Sequence, residues 1–291
     1  MVNHSKKSIN QYAGYIYLLP GLAWIFFVFA IPIIQLIGMS IRQGPVGQEI
    51  LGFDNFIFTF RDPLFIKAIT NNIKLLVIVP ILIILSLIFS TFLYERIKGW
   101  QIYQTIIFIP VILAVAAMGI VFSQILQLKG LLNETLRVLR LNFLIQDWLG
   151  NQGLALGSVV GVIVWKELGF GTILFLARLM SVDKELYEAA RIDGASGFQL
   201  MIHITIPQLI HIIEFYAVLL IVTAFSFVFD YILILTNGGP NNQTIVGEFF
   251  VYKYGFIYNR FNIASSVAIV YLLVGIVLMI LRYQIVKRID S

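Results

Sequence analysis

Six stretches of this 291-residue chain are long and apolar enough to cross a bilayer. No other feature constrains the fold as strongly. A hydrocarbon core about 30 Å thick needs roughly 20 consecutive, mostly apolar residues in a helix. The runs lie at about 12–41, 69–94, 101–127, 153–180, 204–235 and 262–284. Lipid offers backbone groups no water, so a spanning segment must be a helix or part of a closed barrel. A barrel would show alternating segments of about 10 residues, whereas these runs are continuous. Only 12% of residues are charged and 59% are hydrophobic, against about 25% charged in a soluble domain. The expectation is an all-α integral membrane protein: six transmembrane helices, several of them kinked, in a single transmembrane domain over 1–291.

The first run begins near Tyr12. It is longer than a signal-peptide core and no small-residue cleavage pattern follows, so it reads as a retained span. The absence of cysteine excludes a disulfide framework, a thiolate metal site and a cysteine nucleophile. A net charge of +5 fits orientation signals rather than a nucleic-acid partner. With the N-terminus inside, ten Lys and Arg, including Lys6, Lys7, Arg96, Lys98, Lys184 and Arg191, fall inside and eight outside. The inner ones sit in the shorter linkers, where such charges set topology. Both termini are therefore expected in the cytoplasm.

Several residues within the runs are candidates for more than spanning. Pro20, Pro32, Pro80, Pro110 and Pro207 lie in or at the ends of apolar runs. Each is either ordinary membrane-helix composition or a break in a path that opens and closes. Gly153, Gly157 and Gly161 recur every four residues and read as a packing edge on the fourth span. Lys166 and Glu167 lie mid-span, and each is expected to pair with another helix, as a structural ion pair more than a transport site. On the fifth span Thr223, Ser226 and Asp230 share one face of a continuous helix at i, i+3 and i+7, with Phe225 and Phe229 beside them. Hydroxyls, a carboxylate and aromatic faces suit a sugar. They equally suit a hydrogen bond that holds two helices together.

The linker at 181–207 has a plainer logic. Ser181 or Asp183 can cap a helix, and Glu185 and Glu188 favour its first turns. Leu186, Ala189 and Ala190 are good helix formers, and Gly194 ends the helix. A turn at Ala195–Gly197 and a second helical stretch lead to Pro207. A charged helix, a sharp bend and another helix should stand off the membrane.

These residues carry a resemblance. Glu188-Ala189-Ala190, then Gly194, then Ile204-Thr205-Ile206-Pro207 is similar to the EAA loop of binding-protein-dependent ABC importers, with Ile206 where leucine is usual. YLLPGL at 17–22, GFDNF at 52–56 and LTNGGPNNQT at 235–244 resemble signatures of the sugar and glycerol-phosphate permeases in that family. The last points to the branch of the maltose permease F subunit. Trp165-Lys166-Glu167-Leu168-Gly169-Phe170 resembles a family motif that has proline where Gly169 stands.

The resemblance implies a coupling helix between spans four and five that docks on a cytoplasmic ATPase through Glu188, Ala189, Ala190, Arg191, Asp193 and Gly194. It implies a multi-pass protein of a bacterial or archaeal cytoplasmic membrane. Its partners would be a second, homologous permease subunit, two ATPase subunits or domains, and an extracellular binding protein that delivers a carbohydrate. On the chemistry of the fifth span read above, and not on the resemblance, a sugar path would pass Thr223, Phe225, Ser226, Phe229 and Asp230.

The chain has no Gly-x-x-x-x-Gly-Lys-Ser/Thr loop to cradle phosphate and no paired carboxylates. Its three histidines, His4, His203 and His211, have no acidic cluster beside them. Neither catalysis nor a cofactor or metal is expected in this chain, and ATP and magnesium would sit on the ATPase partners. The alternatives are an ion-coupled secondary transporter, which would favour inverted repeats, and an importer of glycerol-phosphate-like cargo.

Overall fold

Helix dominates because apolar runs in lipid must satisfy their backbone internally. The computed structural model describes residues 15, 17–43, 50–96 and 98–289. The start of the first run at Tyr12, the charges at Lys6 and Lys7, and His4 lie outside the described residues. Among the described residues five helices are long and apolar enough to span: α1 (Tyr17–Ile41), α3 (Pro63–Tyr94), α7 (Ala155–Leu179), α9 (Gly197–Ser226) and α12 (Phe261–Ile289, apolar to Ile280). A sixth span is made by a bent pair, α4 (Trp100–Ile112) and α5 (Val115–Ile125). Short helices fill the linkers: α2 (Asp54–Arg61), α6 (Leu131–Val138), α8 (Lys184–Ile192), α10 (Phe229–Leu235) and α11 (Gly247–Tyr252).

The chain divides into two units, residues 1–62 with 251–276 and residues 63–250 with 277–291. In the first, none of the apolar window of α1 is buried, as suits a helix whose sides face lipid or another chain. Two short strands, Arg42–Gln43 and Ile50–Leu51, pair antiparallel. Asn55 fastens them by donating to the carbonyls of Ser40 and Arg42. The buried hydroxyls of Thr59 and Ser266 meet at 2.8 Å, and Tyr254 bonds to Asp62.

The second unit holds α3, the bent pair α4 and α5, α7 and α9, while most of α12 belongs to the first. Helix α3 starts at Pro63, six residues before the expected start, because the turn that carries the polar Lys67 is helical too. Proline is well placed at the first turn, where its missing N–H would have no partner anyway. Inside a span it is accommodated by reshaping the turn before it. Ahead of Pro80, Val79 donates to the Leu76 carbonyl that proline cannot reach. Pro207 follows a wide π-helical turn at Met201–Thr205, just as Pro32 follows one at Phe26–Ala30 in the first unit. Such wide turns open the backbone where a proline ring would clash.

The third span does more than kink. Beyond Pro110, Leu113 and Ala114 are extended, and the two halves bend by 107°. The freed carbonyl of Val111 accepts a hydrogen bond from Lys166 at 3.0 Å. A buried cation thus sits at the negative end of a helix. The expected ion pairing gives way to this cap for Lys166, while Glu167 accepts from the Tyr231 hydroxyl at 3.2 Å. The Tyr216 hydroxyl donates to the Glu167 carbonyl.

Helix α7 runs unbroken through Gly169, where α4 comes so close that a Cβ would stand 2.4 Å from the Ile107 carbonyl oxygen. The glycine edge at 153–161 differs from expectation. Gly153 precedes the helix, and among the described residues nothing beyond the helix's own turns lies within 4 Å of a Cβ at Gly157 or Gly161. Among the described residues the close packing on α7 is at Gly169 and Gly171 instead.

Candidate functional site

Two places carry polar groups that spanning alone does not require: the helix between α7 and α9, and the break between α9 and α10.

Helix α8 begins after Asp183, which occupies the cap position without a side-chain cap bond. Ser181 turns back to the Arg178 carbonyl. At the other end Gly194 has φ +84°, a conformation that costs a side-chain-bearing residue roughly 1–2 kcal/mol. The Ala195 N–H reaches back to the Ala190 carbonyl at 2.9 Å, closing the helix as a left-handed terminus does. Ser196 then opens α9 with a capping box: its hydroxyl accepts from the Gln199 N–H, and the Gln199 side chain accepts from the Ser196 N–H. The helix, bend and second helix expected from the sequence are all present. The capping box itself had a readable signal in Ser196-x-x-Gln199.

Helix α8 has two faces. Outward stand Glu185, Ala189 and Asp193, with Glu188 at the edge between this face and the inner one, and all four are exposed. Three large apolar side chains are exposed with them: Leu186 at 46%, Ile192 at 86% and, in the first turn of α9, Phe198 at 74%. Apolar side chains grouped on a polar, water-facing element mark a contact surface. Ala190 is half-buried.

Inward, Tyr187 is half-buried, and its hydroxyl meets that of Thr205 at 3.1 Å. Burial pushes the Tyr187 hydroxyl pKa up, and the Thr205 bond opposes that. The Tyr187 ring lies against Tyr94, with centroids 5.8 Å apart. Arg191 pairs with Glu95 at 2.9 Å. A cavity of about 640 Å³ opens beneath α8, lined by Glu95, Arg96, Trp100, Glu188 and Thr205 among others. The Arg96 guanidinium lies over the Trp100 ring at 5.5 Å. Of the six residues read as a docking set, Glu188, Ala189, Asp193 and Gly194 are exposed and Ala190 lies at the edge. Arg191 is exposed too, yet bonded to its own chain.

At the second place, the continuous helix expected over 204–235 is interrupted. Helix α9 ends at Ser226, Phe227 takes φ −139°, and α10 restarts at Phe229. No proline or glycine marks the break. Both helix ends are satisfied by distant side chains. Glu248 accepts from the N–H groups of Val228 at 3.0 Å and Phe229 at 2.8 Å. Asn72 donates to the Ala224 carbonyl at 2.6 Å and accepts from the Gly247 N–H at 3.0 Å. Neighbouring Asn71 donates to the carbonyls of Gln243 and Ile245, both at 2.8 Å, and Lys67 bonds to the Gln243 side chain. The segment 236–248 is thereby strapped across the break. Burial raises the Glu248 carboxyl to about 7, against the pull of its two N–H donors, with nearby Asp230 adding to the rise.

The break rearranges the expected path. Thr223, Ser226 and Asp230 lie on two helices rather than one face. Thr223 is buried, with its hydroxyl on the Leu219 carbonyl. Ser226 and Asp230 are exposed, Phe225 and Phe229 are half-buried, and the Phe229 ring lies 6.2 Å from that of Phe249. Among the described residues no group of three or more His, Cys, Asp or Glu is placed to hold a metal.

This arrangement has counterparts. Residues 60–291 match the family model for the binding-protein-dependent transport system inner membrane component. The chain is 32% identical to the probable ABC transporter permease protein YurN of Bacillus subtilis, over 96% of this chain and 97% of that one. It is 28% identical to the lactose transport system permease protein LacF of Rhizobium radiobacter, covering 99% of both. Among solved structures it is similar to a bacterial ABC transporter involved in the import of the acidic polysaccharide alginate, with TM-score 0.84 and 26% identity over 99% of this chain and 100% of that one. The chain belongs to the family of binding-protein-dependent transport system inner membrane components, and it is a multi-pass permease of the ABC importer kind.

Proposed function

We infer that this chain is one of two paired permease subunits of an ATP-driven importer whose cargo is a carbohydrate, specifically an oligosaccharide. The observation that carries the reading is α8, a water-exposed helix with a mixed apolar and acidic outward face, fastened to the ends of spans. Such a face fits a cleft on a partner protein better than a lipid surface, which would select a Lys- and Arg-rich polar side. The partner is a cytoplasmic ATPase, present as two subunits or domains that hold the ATP and magnesium this chain does not bind. Glu188 and Asp193 offer it charged acceptors, and Leu186, Ile192 and Phe198 offer apolar contact.

The second permease subunit is homologous, and an extracellular binding protein delivers the sugar. The termini and α8 then lie on the cytoplasmic side of a bacterial or archaeal membrane, and the strapped break at Phe227–Val228 lies toward the outside. There Ser226 and Asp230 are exposed beside Phe225 and Phe229, so hydroxyl and carboxylate acceptors stand next to flat apolar rings, while Thr223 is buried with its hydroxyl on its own helix. Relatives named for lactose and for arabinooligosaccharides, and the alginate importer, support a saccharide cargo.

The test is coexpression with the ATPase and permease genes encoded beside this one, followed by purification on this chain and reconstitution. The reading expects the ATPase to co-purify, and uptake to stop on ATP depletion but continue with ionophores. Uptake by this chain alone would sink it. Asp230→Ala should lower sugar flux while leaving assembly intact. Lost assembly without a flux-specific defect would make Asp230 a packing residue.

A further inference from the structure

The two faces of α8 have separate duties. Tyr187 and Arg191 stand one turn apart, so they project from the same side, away from Leu186, Ala189 and Asp193. The Tyr187 hydroxyl holds Thr205 at 3.1 Å, and Thr205 is 2% exposed. Thr205 closes the π-helical turn Met201–Thr205 at the start of the fifth span. The Tyr187 ring rests on Tyr94, the last residue of α3, and Arg191 holds Glu95, the next residue, at 2.9 Å. One face of one short helix thus grips the ends of two different spans.

Those two spans reach the far break. Helix α3 carries Asn71 and Asn72, which hold the strap, and α9 ends at Ala224–Ser226, where Asn72 bonds. A displaced α8 would therefore pull on both helices whose other ends meet at the proposed path. The wide turn next to Thr205 is a place where a helix can shift its bonding without losing it.

The geometry points to Tyr187 and Arg191 as positioning residues: they form the linkage that passes motion of α8 into α3 and α9, and Arg191 is not an ATPase contact. This rests on the reading that α8 receives an ATPase.

The experiment uses the whole complex in proteoliposomes with Arg191→Glu, Glu95→Arg, the double reversal, Tyr187→Ala and Tyr187→Phe. It reads ATPase co-purification, ATP hydrolysis and sugar uptake. Each single reversal should keep the ATPase bound and hydrolysing, while uptake falls about fivefold, and the double reversal should recover most of it, as residues in direct contact do. Tyr187→Ala should uncouple similarly. Tyr187→Phe, which keeps the ring on Tyr94, should fall between it and wild type. Single reversals that transport normally, or a double no better than the worse single, would overturn the linkage. Loss of the bound ATPase in Arg191→Glu, not regained in the double, would make Arg191 a docking residue and overturn it too. If the wild-type complex itself retains no ATPase, the docking reading fails and the linkage falls with it.

Discussion

The two ends of the fifth span are built on opposite principles. At the α9–α10 break, the backbone groups freed at Ala224, Val228 and Phe229 are taken up by Asn72 and Glu248, side chains remote in sequence. At the other end α8 is held, among the described residues, by a hydroxyl pair, a ring contact and a half-exposed ion pair. Its outward apolar side chains touch water. A buried, densely hydrogen-bonded polar network has few ways to rearrange, whereas a helix held by a few partly exposed contacts opens at small cost. The first end keeps a break in one shape, and the second can be moved. A permease driven from one side of the membrane needs both.

Substitutions can break this contrast, beginning with the largest effect. Asn72→Ala leaves the Ala224 carbonyl and the Gly247 N–H without their side-chain partner, and each buried orphan costs about 1–3 kcal/mol. Thermal unfolding of the purified complex should show a loss of roughly 3 kcal/mol. A loss under about 0.5 kcal/mol, the usual range for a surface change, would mean the break does not depend on the strap.

Glu248 sharpens the same point through pH. Its folded pKa, about 7, lies above the ordinary value of 4.5. The stabilisation it brings is therefore complete below pH 4.5 and is lost as pH rises through 7. Between pH 5 and 8 the complex should lose on the order of 2 kcal/mol. Glu248→Gln, whose amide oxygen can accept the same two N–H groups, should flatten that dependence. An unchanged slope would show that another group titrates.

At the movable end the effects on stability should be smaller. Gly194→Val forces a branched residue into φ +84°, a strain of roughly 1–2 kcal/mol confined to the α8 turn. Uptake should fall well below wild type while the melting temperature of the complex changes little. Uptake and melting falling together would mean that α8 is as structural as the strap. Smallest of all, Arg137→Ala removes an exposed i,i+3 pair with Glu134. It should change stability by less than about 0.5 kcal/mol, which sets the scale for the others.

The same contrast decides what could be read from the sequence. The α8 region was legible because its determinants are local: acidic first turn, alanines, Gly194 at the bend. The span positions were legible because an apolar run is a run wherever it packs. The early start of α3 was missed because Lys67 looks like a linker residue, and the roles of Asn71 and Asn72 inside the run were missed with it. Their partners at Gln243, Ile245, Ala224 and Gly247 lie more than 150 positions away. The break at Phe227 was missed for the same reason, since nothing between Thr223 and Asp230 stops a helix and the cause sits at Glu248. Lys166 announced a partner by its charge, but that partner is a backbone carbonyl at another break, which no side-chain pattern encodes. Pro110 announced a kink and concealed a 107° bend. On α8 itself, attention to charge assigned Arg191 outward and passed over Leu186, Ile192 and Phe198 as contacts.

The central claim is that the outward face of α8 is covered by an ATPase in the working complex. The chain has no cysteine, so Ile192→Cys places a single thiol there. In the coexpressed complex that thiol should cross-link to the ATPase subunit through a short bismaleimide and be shielded from a water-soluble maleimide. A thiol that labels freely in the assembled complex and cross-links to no ATPase would contradict the account.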